Sequence, residues 1–500
     1  MDYFITDRLR EPLSAIELVM INRVKLFAQA DRKARIVTRD YERHVSRVLK
    51  GRGLTDRQYL NMYDFFQHVA DDAAPQSNPR LQFPTATLVR ADNARQENVF
   101  VEESSTAIAT ITYLDDALTQ VDAVSHFNSL GALYQRDLYD HGNWLSLRQF
   151  FDAAGHITTQ EFLTRQGTVV LTEAYGPDAA GTWANRGMKL VSKTGNTRFF
   201  TSLDVLFAYF LDQIAARDHA ALFIADRHEM AVWPLSHMTV PARRVLQMHS
   251  SHTVDADDPE YSQIAYYVQM AVDHGFDAVL TATKRQRDLL AKRILLPIFA
   301  VPIRPLASLP ATTKLAERPA NHLIAISRLS AEKRLGDTID AIDQVKKTHP
   351  AVQLDIYGAS MAGYEEDHKL RHQVAALKLE DTVHFRGFVR DLGPVYRSAQ
   401  MLIVSSKYEG FNIGLQDGLA YGVPAVSYAI EYGPKELVHD GINGRLVPNG
   451  DVAALAAAIS ELLDNDALRQ ELSTGARASV APYLESAAIA AWAQVWTALG

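Results

Sequence analysis

The stretch "SKYEGFNIGLQDGLAYGVPAVSY" (residues 406–428) decides how this chain is read. The apolar run "MLIVSS" (401–406) leads into it and has the texture of a strand buried on both faces. The chain then turns on the glycines of "YEGFNIG" into a helix, with Glu409 just before the turn and Asp417 inside the helix. The first amides of that helix, near Asn412, Ile413 and Gly414, have no intrahelical acceptor. Together with the helix dipole they suit a phosphate. A carboxylate beside them accepts hydrogen bonds from paired hydroxyls, as a sugar or a ribose offers. A phosphate flanked by two polyhydroxyl groups fits both features, and a nucleotide sugar is such a molecule. The plainer reading of this segment alone is an acidic helix cap with a surface aspartate.

The surrounding sequence alternates strand and helix. Short apolar runs at 322–329, 352–358, 383–388, 401–406, 424–429 and 444–448 read as strands, with helical patterns such as 333–347 and 365–379 between them. Strands apolar on both faces predict a parallel sheet covered by helices. A similar rhythm opens the chain at 2–6 and 34–41 and resumes at 221–227, 244–250, 278–283 and 295–302. The region between differs: hairpin-like runs punctuated by Gly, Asn and Asp read as an all-β insertion without a strict repeat. The expected fold class is α/β, with two Rossmann-like doubly wound domains facing a cleft. The expected domains are 1–70 with 205–305, a β-rich insertion over 71–204, and 306–482. A helix over 483–500 is expected to pack back on the first domain, with Ile489, Trp492, Trp496 and Leu499 on one face. In such sheets ligands sit beyond the C-terminal ends of the strands, where Glu409 falls.

Composition narrows the function classes. Five hundred residues exceed one core. A formal net charge of −8 argues against a nucleic-acid binder. Residues 1–57 nevertheless hold thirteen Lys and Arg against eight Asp and Glu. That local excess reads either as a solvated helical surface or as a basic face for an anionic acceptor. The absence of cysteine excludes disulfides, thiolate metal sites and cysteine nucleophiles, and suits a reducing cytoplasm. The opening "MDYFITDRLR" lacks a signal-peptide core, and no run reaches the ~18 apolar residues of a membrane span. A cytoplasmic protein, with at most peripheral contact at the inner face of the membrane, is expected.

A second segment sharpens the site. "ISRLSAEKRL" (326–335) sets Arg328 at a strand end and Lys333 near the next helix, so that both cations can converge on one anion. There they would neutralise a diphosphate leaving group as its charge develops. "SRLSAEKRL", "FRGF" (385–388) and E-G-F-x-x-G-L-x-D-x-L-A-x-G-x-P together resemble the donor-binding domain of retaining GT-B glycosyltransferases of family four. The resemblance implies Arg328 and Lys333 on the donor diphosphate and Glu409 by the sugar. It places the amides after Phe411 on sugar and phosphate, Asp417 on the ribose where the family carries Glu, and Phe388 among the donor contacts. "LFIADR" (222–227), "VLQMHSSHT" (245–253), "YGPKELVHDGINGRLVP" (432–448) and "HFNSLGALYQRDLYD" are similar to one subgroup. These are the bacterial poly(glycerol-phosphate) and poly(ribitol-phosphate) wall teichoic acid α-glycosyltransferases, with the Ser/Thr-protein glycosyltransferases of accessory secretion as relatives.

That likeness implies His249 near the transferred sugar. It also implies a UDP-glucose or UDP-N-acetylglucosamine donor, and a teichoic acid or Ser-rich protein acceptor. Self-association or a homologous partner subunit, in which this chain could be the non-catalytic member, is left open. The first strand-to-helix loop, "TDRLREPLSAIE", lacks the glycines of relatives, and Ser14 is the group there that offers a hydroxyl and an amide. No cofactor and no metal are expected, since Arg328 and Lys333 can supply the positive charge.

Overall fold

The computed structural model describes residues 1–500 apart from 70–80, 82, 84–85, 91–94, 102–105, 141, 256–257 and 361–364. The expected boundary at 70/71 lies outside the described residues. The described chain divides into two units, Met1–Arg244 and Val245–Gly500.

In the first unit β1 (Asp2–Thr6), β2 (Ala34–Thr38) and β3 (Tyr59–Asn61) run parallel side by side. The helix Ala15–Gln29 joins β1 to β2 and buries Val19, Met20, Leu26 and Phe27. Then come ten strands, β4 (Ala86–Arg90) to β13 (Thr197–Phe200), hydrogen-bonded in sequence order as an antiparallel meander. After the helix Leu203–Ala215, β14 (Leu222–Ala225) returns to pair parallel with β1.

The meander owes its regularity to one turn used repeatedly. At Gly131, Gly155, Gly167, Gly181 and Gly195 the backbone has φ between 76° and 85°, which glycine adopts at little cost. Each of these amides donates to the carbonyl three residues back. Asn128, Asp152 and Asp178 also accept two further amides on their side chains. The sequence shows no repeat because only the turn chemistry recurs.

The second unit begins within β15 (Arg243–Gln247), which pairs parallel with β16 (Ala278–Thr281), as β16 does with β17 (Ile298–Ala300). Six more strands follow: β18 (His322–Ile326), β19 (Gln353–Tyr357), β20 (Val383–Gly387), β21 (Met401–Val404), β22 (Ala425–Tyr428) and β23 (Gly444–Val447). They form a parallel sheet in the order β20-β19-β18-β21-β22-β23. The order reverses between β18 and β21, so the loops leaving these two strands diverge and open a crevice at their C-terminal ends. Arg328 and Lys333 follow β18 and Glu409 follows β21, which sets all three at that crevice.

The closing helix, Glu485–Leu499, buries Ala488, Trp492 and Val495, with Trp492 fully enclosed. The predicted stripe is therefore rotated: Ile489, Trp496 and Leu499 lie at its margins, half-buried. Small Ala488 lets the helix approach closely enough to seat the Trp492 ring. The helix rests against β17, and Leu484 pairs with Leu306 just before it.

Candidate active site

β21 is buried along its whole length, and the helix Ile413–Ala420 returns across it. Gly418 makes that packing close: a Cβ there would lie 2.8 Å from the Leu402 side chain. Asn412 caps the helix with φ 75°, its Oδ1 accepting the Leu415 amide at 2.9 Å. Asn412 Nδ2 donates to Glu409 Oε1 at 3.1 Å, and the same oxygen accepts from Ser406 Oγ at 2.7 Å and Lys333 Nζ at 2.8 Å. Three donors on one carboxylate oxygen fix the side chain. Lys333 and Glu409 are only 13% and 11% exposed, so their attraction is screened far less than that of a surface pair.

The Lys333 loop is held in turn by β21. Ser405 Oγ donates to the Lys333 carbonyl at 3.0 Å and accepts from Thr338 Oγ1 at 2.8 Å. Lys407 N donates to the Glu332 carbonyl at 2.7 Å. Arg328, half-exposed, reaches Glu332 Oε1 at 3.0 Å, and Ser330 Oγ reaches the same oxygen at 2.7 Å. Burial pushes the Glu332 carboxyl up, but the Ser330 hydroxyl, Arg328 and Lys333 outweigh it and hold it below the usual range. The two cations are thus each paired with a carboxylate at the mouth of the crevice, Lys333 with Glu409 and Arg328 with Glu332.

The "HSSH" segment meets this site through glycine. A Cβ on Gly410 would lie 2.2 Å from the His249 carbonyl oxygen, so only glycine lets the Glu409 turn pass so near. Ser250, Ser251, Thr253, Lys407 and Tyr408 line a small cavity of about 200 Å³ beside it. Glu409 pairs by its backbone with Tyr432, and Gly433 packs where a Cβ would be 1.7 Å from the Phe411 carbonyl oxygen. Tyr432 OH lies 2.9 Å from His252 Nδ1, a buried pair that ties the histidine segment to the segment behind Glu409. Glu436 accepts the amides of Lys284 and Arg285 at the start of the helix Lys284–Leu290, and Arg285 pairs with Glu431.

His252 makes this tie sensitive to acid. Burial, reinforced by Arg293, pushes its imidazole down to about 4. The folded value lies below the unfolded one, so the unfolded chain takes up a proton first as pH falls. The stability is complete above the ordinary histidine value and is lost between there and pH 4, by about 3 kcal/mol. Urea midpoints measured from pH 8 to pH 4 should fall on the acid side, and His252→Gln should flatten that limb. An unchanged acid limb in His252→Gln would place the titration elsewhere.

Residues 313–479 match the family model described as "Glycosyl transferases group 1". Over 92% of its length, and 92% of the relative's, the chain is 23% identical to a poly(ribitol-phosphate) alpha-N-acetylglucosaminyltransferase of Staphylococcus aureus (strain COL). It superposes on a mutant S. aureus TarM in complex with fondaparinux, alpha-GlcNAc-glycerol and UDP, with TM-score 0.78 at 20% identity, covering 99% of each chain. The fold is GT-B. The pneumococcal O-GlcNAc transferase GtfA in complex with UDP and GlcNAc shares it, with TM-score 0.78 at 19% identity over 100% of this chain and 98% of that one.

Within the GT-B fold the predicted residues fall in three groups. Lys333, Glu409, Asn412 and the amides of Ile413 and Gly414 gather around one crevice, with His249 against the Gly410 turn and Arg328 one carboxylate away. Phe411 stands with them by its backbone only, because its buried ring packs on Tyr483 at 5.5 Å. Asp417 and Phe388 stand apart. Asp417 faces Arg304 at 3.7 Å, and burial, opposed by Arg304, pushes its carboxyl up. Phe388 projects from the end of β20, 72% exposed. Ser14, in the first unit, caps the helix Ala15–Gln29; its amide donates to Glu17 and its hydroxyl accepts from Arg227 at 2.9 Å.

The sequence reading missed Ser405, Ser406, Glu332, Tyr432 and Glu436, which position the others. Ser405 and Ser406 were visible as hydroxyls ending an apolar strand, where a purely structural strand has no need of them. Among the described residues no group of three or more His, Asp or Glu side chains is arranged to hold a metal, and no helix is long and apolar enough to cross a membrane.

Proposed function

We propose that the chain is a retaining hexosyltransferase that moves glucose or N-acetylglucosamine from a UDP-sugar onto hydroxyls of a poly(polyol-phosphate) wall teichoic acid. The observation that carries this reading is the carboxylate–ammonium pair of Glu409 and Lys333 at the reversal of strand order, beside Ile413 and Gly414 in the first turn of the following helix. In this reading 306–482 binds the nucleotide sugar, 1–70 with 205–305 forms the acceptor-side domain, and 71–204 serves acceptor binding or self-association. The enzyme is cytoplasmic, with at most peripheral contact at the inner face of the membrane, and needs no metal.

In the reaction the bond from the sugar's anomeric carbon to the β-phosphate oxygen breaks while an acceptor hydroxyl bonds to that carbon from the same face. The acceptor proton passes to the departing phosphate, and UDP leaves. Lys333 and Arg328 oppose the charge that grows on the diphosphate, Glu409 orients the sugar hydroxyls, and His249 lines the sugar pocket. Asp417 takes the ribose with a reach one methylene shorter than Glu. The same arrangement serves a Ser-rich protein acceptor, a second reading favoured by 22% identity over 87% of the chain to a Streptococcus agalactiae GtfA subunit.

Acceptor binding separates the two. Affinity for purified teichoic acid should fall steeply as salt rises, because neutralising a polyphosphate releases counterions. The linkage made from an α-configured UDP-sugar should be α by its anomeric proton coupling. A salt-independent affinity for the polymer, with transfer to a Ser-rich peptide instead, would replace the first reading by the second.

A further inference from the structure

The first unit contains a cavity of about 580 Å³, well within the range of about 300–1,000 Å³ that small-molecule sites occupy. One wall comes from the segments that follow β1 and β2: Arg10 follows β1, and Tyr41 to His44, with Arg47 and Val48 of the helix Val45–Gly51, follow β2. The other wall is the meander. Leu147 and Gln149, two apart on the strand Leu145–Phe151, share a face. Leu138 and Gln160, their partners on the neighbouring strands, extend that face to either side.

The walls are held rigidly. Tyr41 OH donates to Ser146 Oγ at 2.6 Å, Gln67 Nε2 to the carbonyls of Ser146 and Leu163 at 2.7 Å, and Tyr63 OH to Glu173 at 2.7 Å. Tyr41, Tyr63 and Phe162 pack ring against ring beneath them. The rim is cationic, but its cations are unequal. Arg43 is spent on Asp122 at 2.9 Å and on the Tyr139 carbonyl at 3.1 Å, and His44 stands 3.3 Å from the same Asp122. Glu11 is taken by Arg52 at 2.6 Å. The side chains of Arg10 and Arg47 make no hydrogen bond or ion pair among the described residues, and both are exposed. Glu42, Gln149 and Gln160 supply neutral or acidic oxygens and amides between them.

Two guanidiniums without a hydrogen-bonded partner, Arg10 acting only through its charge on Glu42, stand with amide and carboxylate groups and match a ligand in which phosphates alternate with hydroxyls. Guanidinium binds phosphate in a bidentate fork, and amides with carboxylates bind polyols. We propose that this cavity is a docking subsite for one phosphodiester of a polyol-phosphate chain, with Arg10 and Arg47 on the phosphate and Glu42, Gln149 and Gln160 on the polyol. The inference rests on the polymer-acceptor reading above and adds where the polymer is gripped, in the unit that does not carry the Lys333–Glu409 pair.

The test is direct binding of purified poly(ribitol-phosphate) to the full chain without donor, across a salt series. Arg10→Gln/Arg47→Gln should weaken binding tenfold or more and lower the salt slope by about two, one per guanidinium. Lys33→Gln/Lys50→Gln removes the same charge from exposed positions of the same unit outside the cavity and should keep wild-type affinity within about twofold. Equal losses in both pairs would mean diffuse attraction and overturn the subsite. Wild-type affinity in Arg10→Gln/Arg47→Gln, with the polymer still bound and glycosylated, would overturn the subsite alone. A wild-type chain that ignores the polymer and glycosylates a Ser-rich peptide would overturn both readings.

Discussion

Lys333→Met should lower kcat/KM for the UDP-sugar by about 10²–10³-fold. The ammonium sits 2.8 Å from Glu409 in a setting only 13% exposed, where a charge placed against the leaving diphosphate acts with little screening. Its loss costs stability too, because Glu409 then keeps an uncompensated charge at 11% exposure. Breaking a fully buried pair costs about 3–5 kcal/mol, and this partly exposed one should cost less. The double variant Lys333→Met/Glu409→Gln separates the two effects. It should recover much of the urea midpoint and none of the turnover, a coupling read directly from the double-mutant cycle. Recovery of turnover with the midpoint would mean that the pair is structural only.

Gly410→Ala should cost at least 100-fold in kcat without a change in charge or polarity. The new methyl group would stand 2.2 Å from the His249 carbonyl oxygen and 2.8 Å from its carbon, and both are backbone atoms that no rotamer change can move. Either the histidine segment or the Glu409 turn must shift. A displacement of about 1 Å between reacting groups is worth about 10²-fold. The substitution removes neither Lys333 nor Arg328, so UDP affinity should change far less than kcat. Equal losses in UDP affinity and kcat would show that the shift runs through the diphosphate side instead.

Much of this was legible along the chain because it is local. The strand Met401–Val404, the turn on Gly410, the cap at Asn412 and the helix after it are consecutive, so apolar runs and glycines report them directly. Lys333 and Glu409 are 76 residues apart, yet each sits in a motif that places it at a strand end. What the sequence hid is long-range. Nothing near His252 announces that its ring will meet Tyr432, 180 residues on, nor near Glu436 that it will cap the helix at Lys284. The cavity beside Arg10 and Arg47 was hidden for the same reason, since its far wall is built from Leu138, Leu147, Gln149 and Gln160. Only the excess of basic residues over 1–57 hinted at it. The closing helix shows a subtler limit. Helical period alone favoured Ile489 and Trp496, but packing centred the face on Ala488, because a small residue lets Trp492 sink to full burial.

The measurement that tests the central claim most directly is UDP release from UDP-glucose and from UDP-N-acetylglucosamine, each with and without purified poly(polyol-phosphate) teichoic acid. Release with one donor, stimulated by the polymer and abolished in Glu409→Ala, is the predicted result. Silence with both donors from folded protein, or release that Glu409→Ala leaves intact, would contradict it.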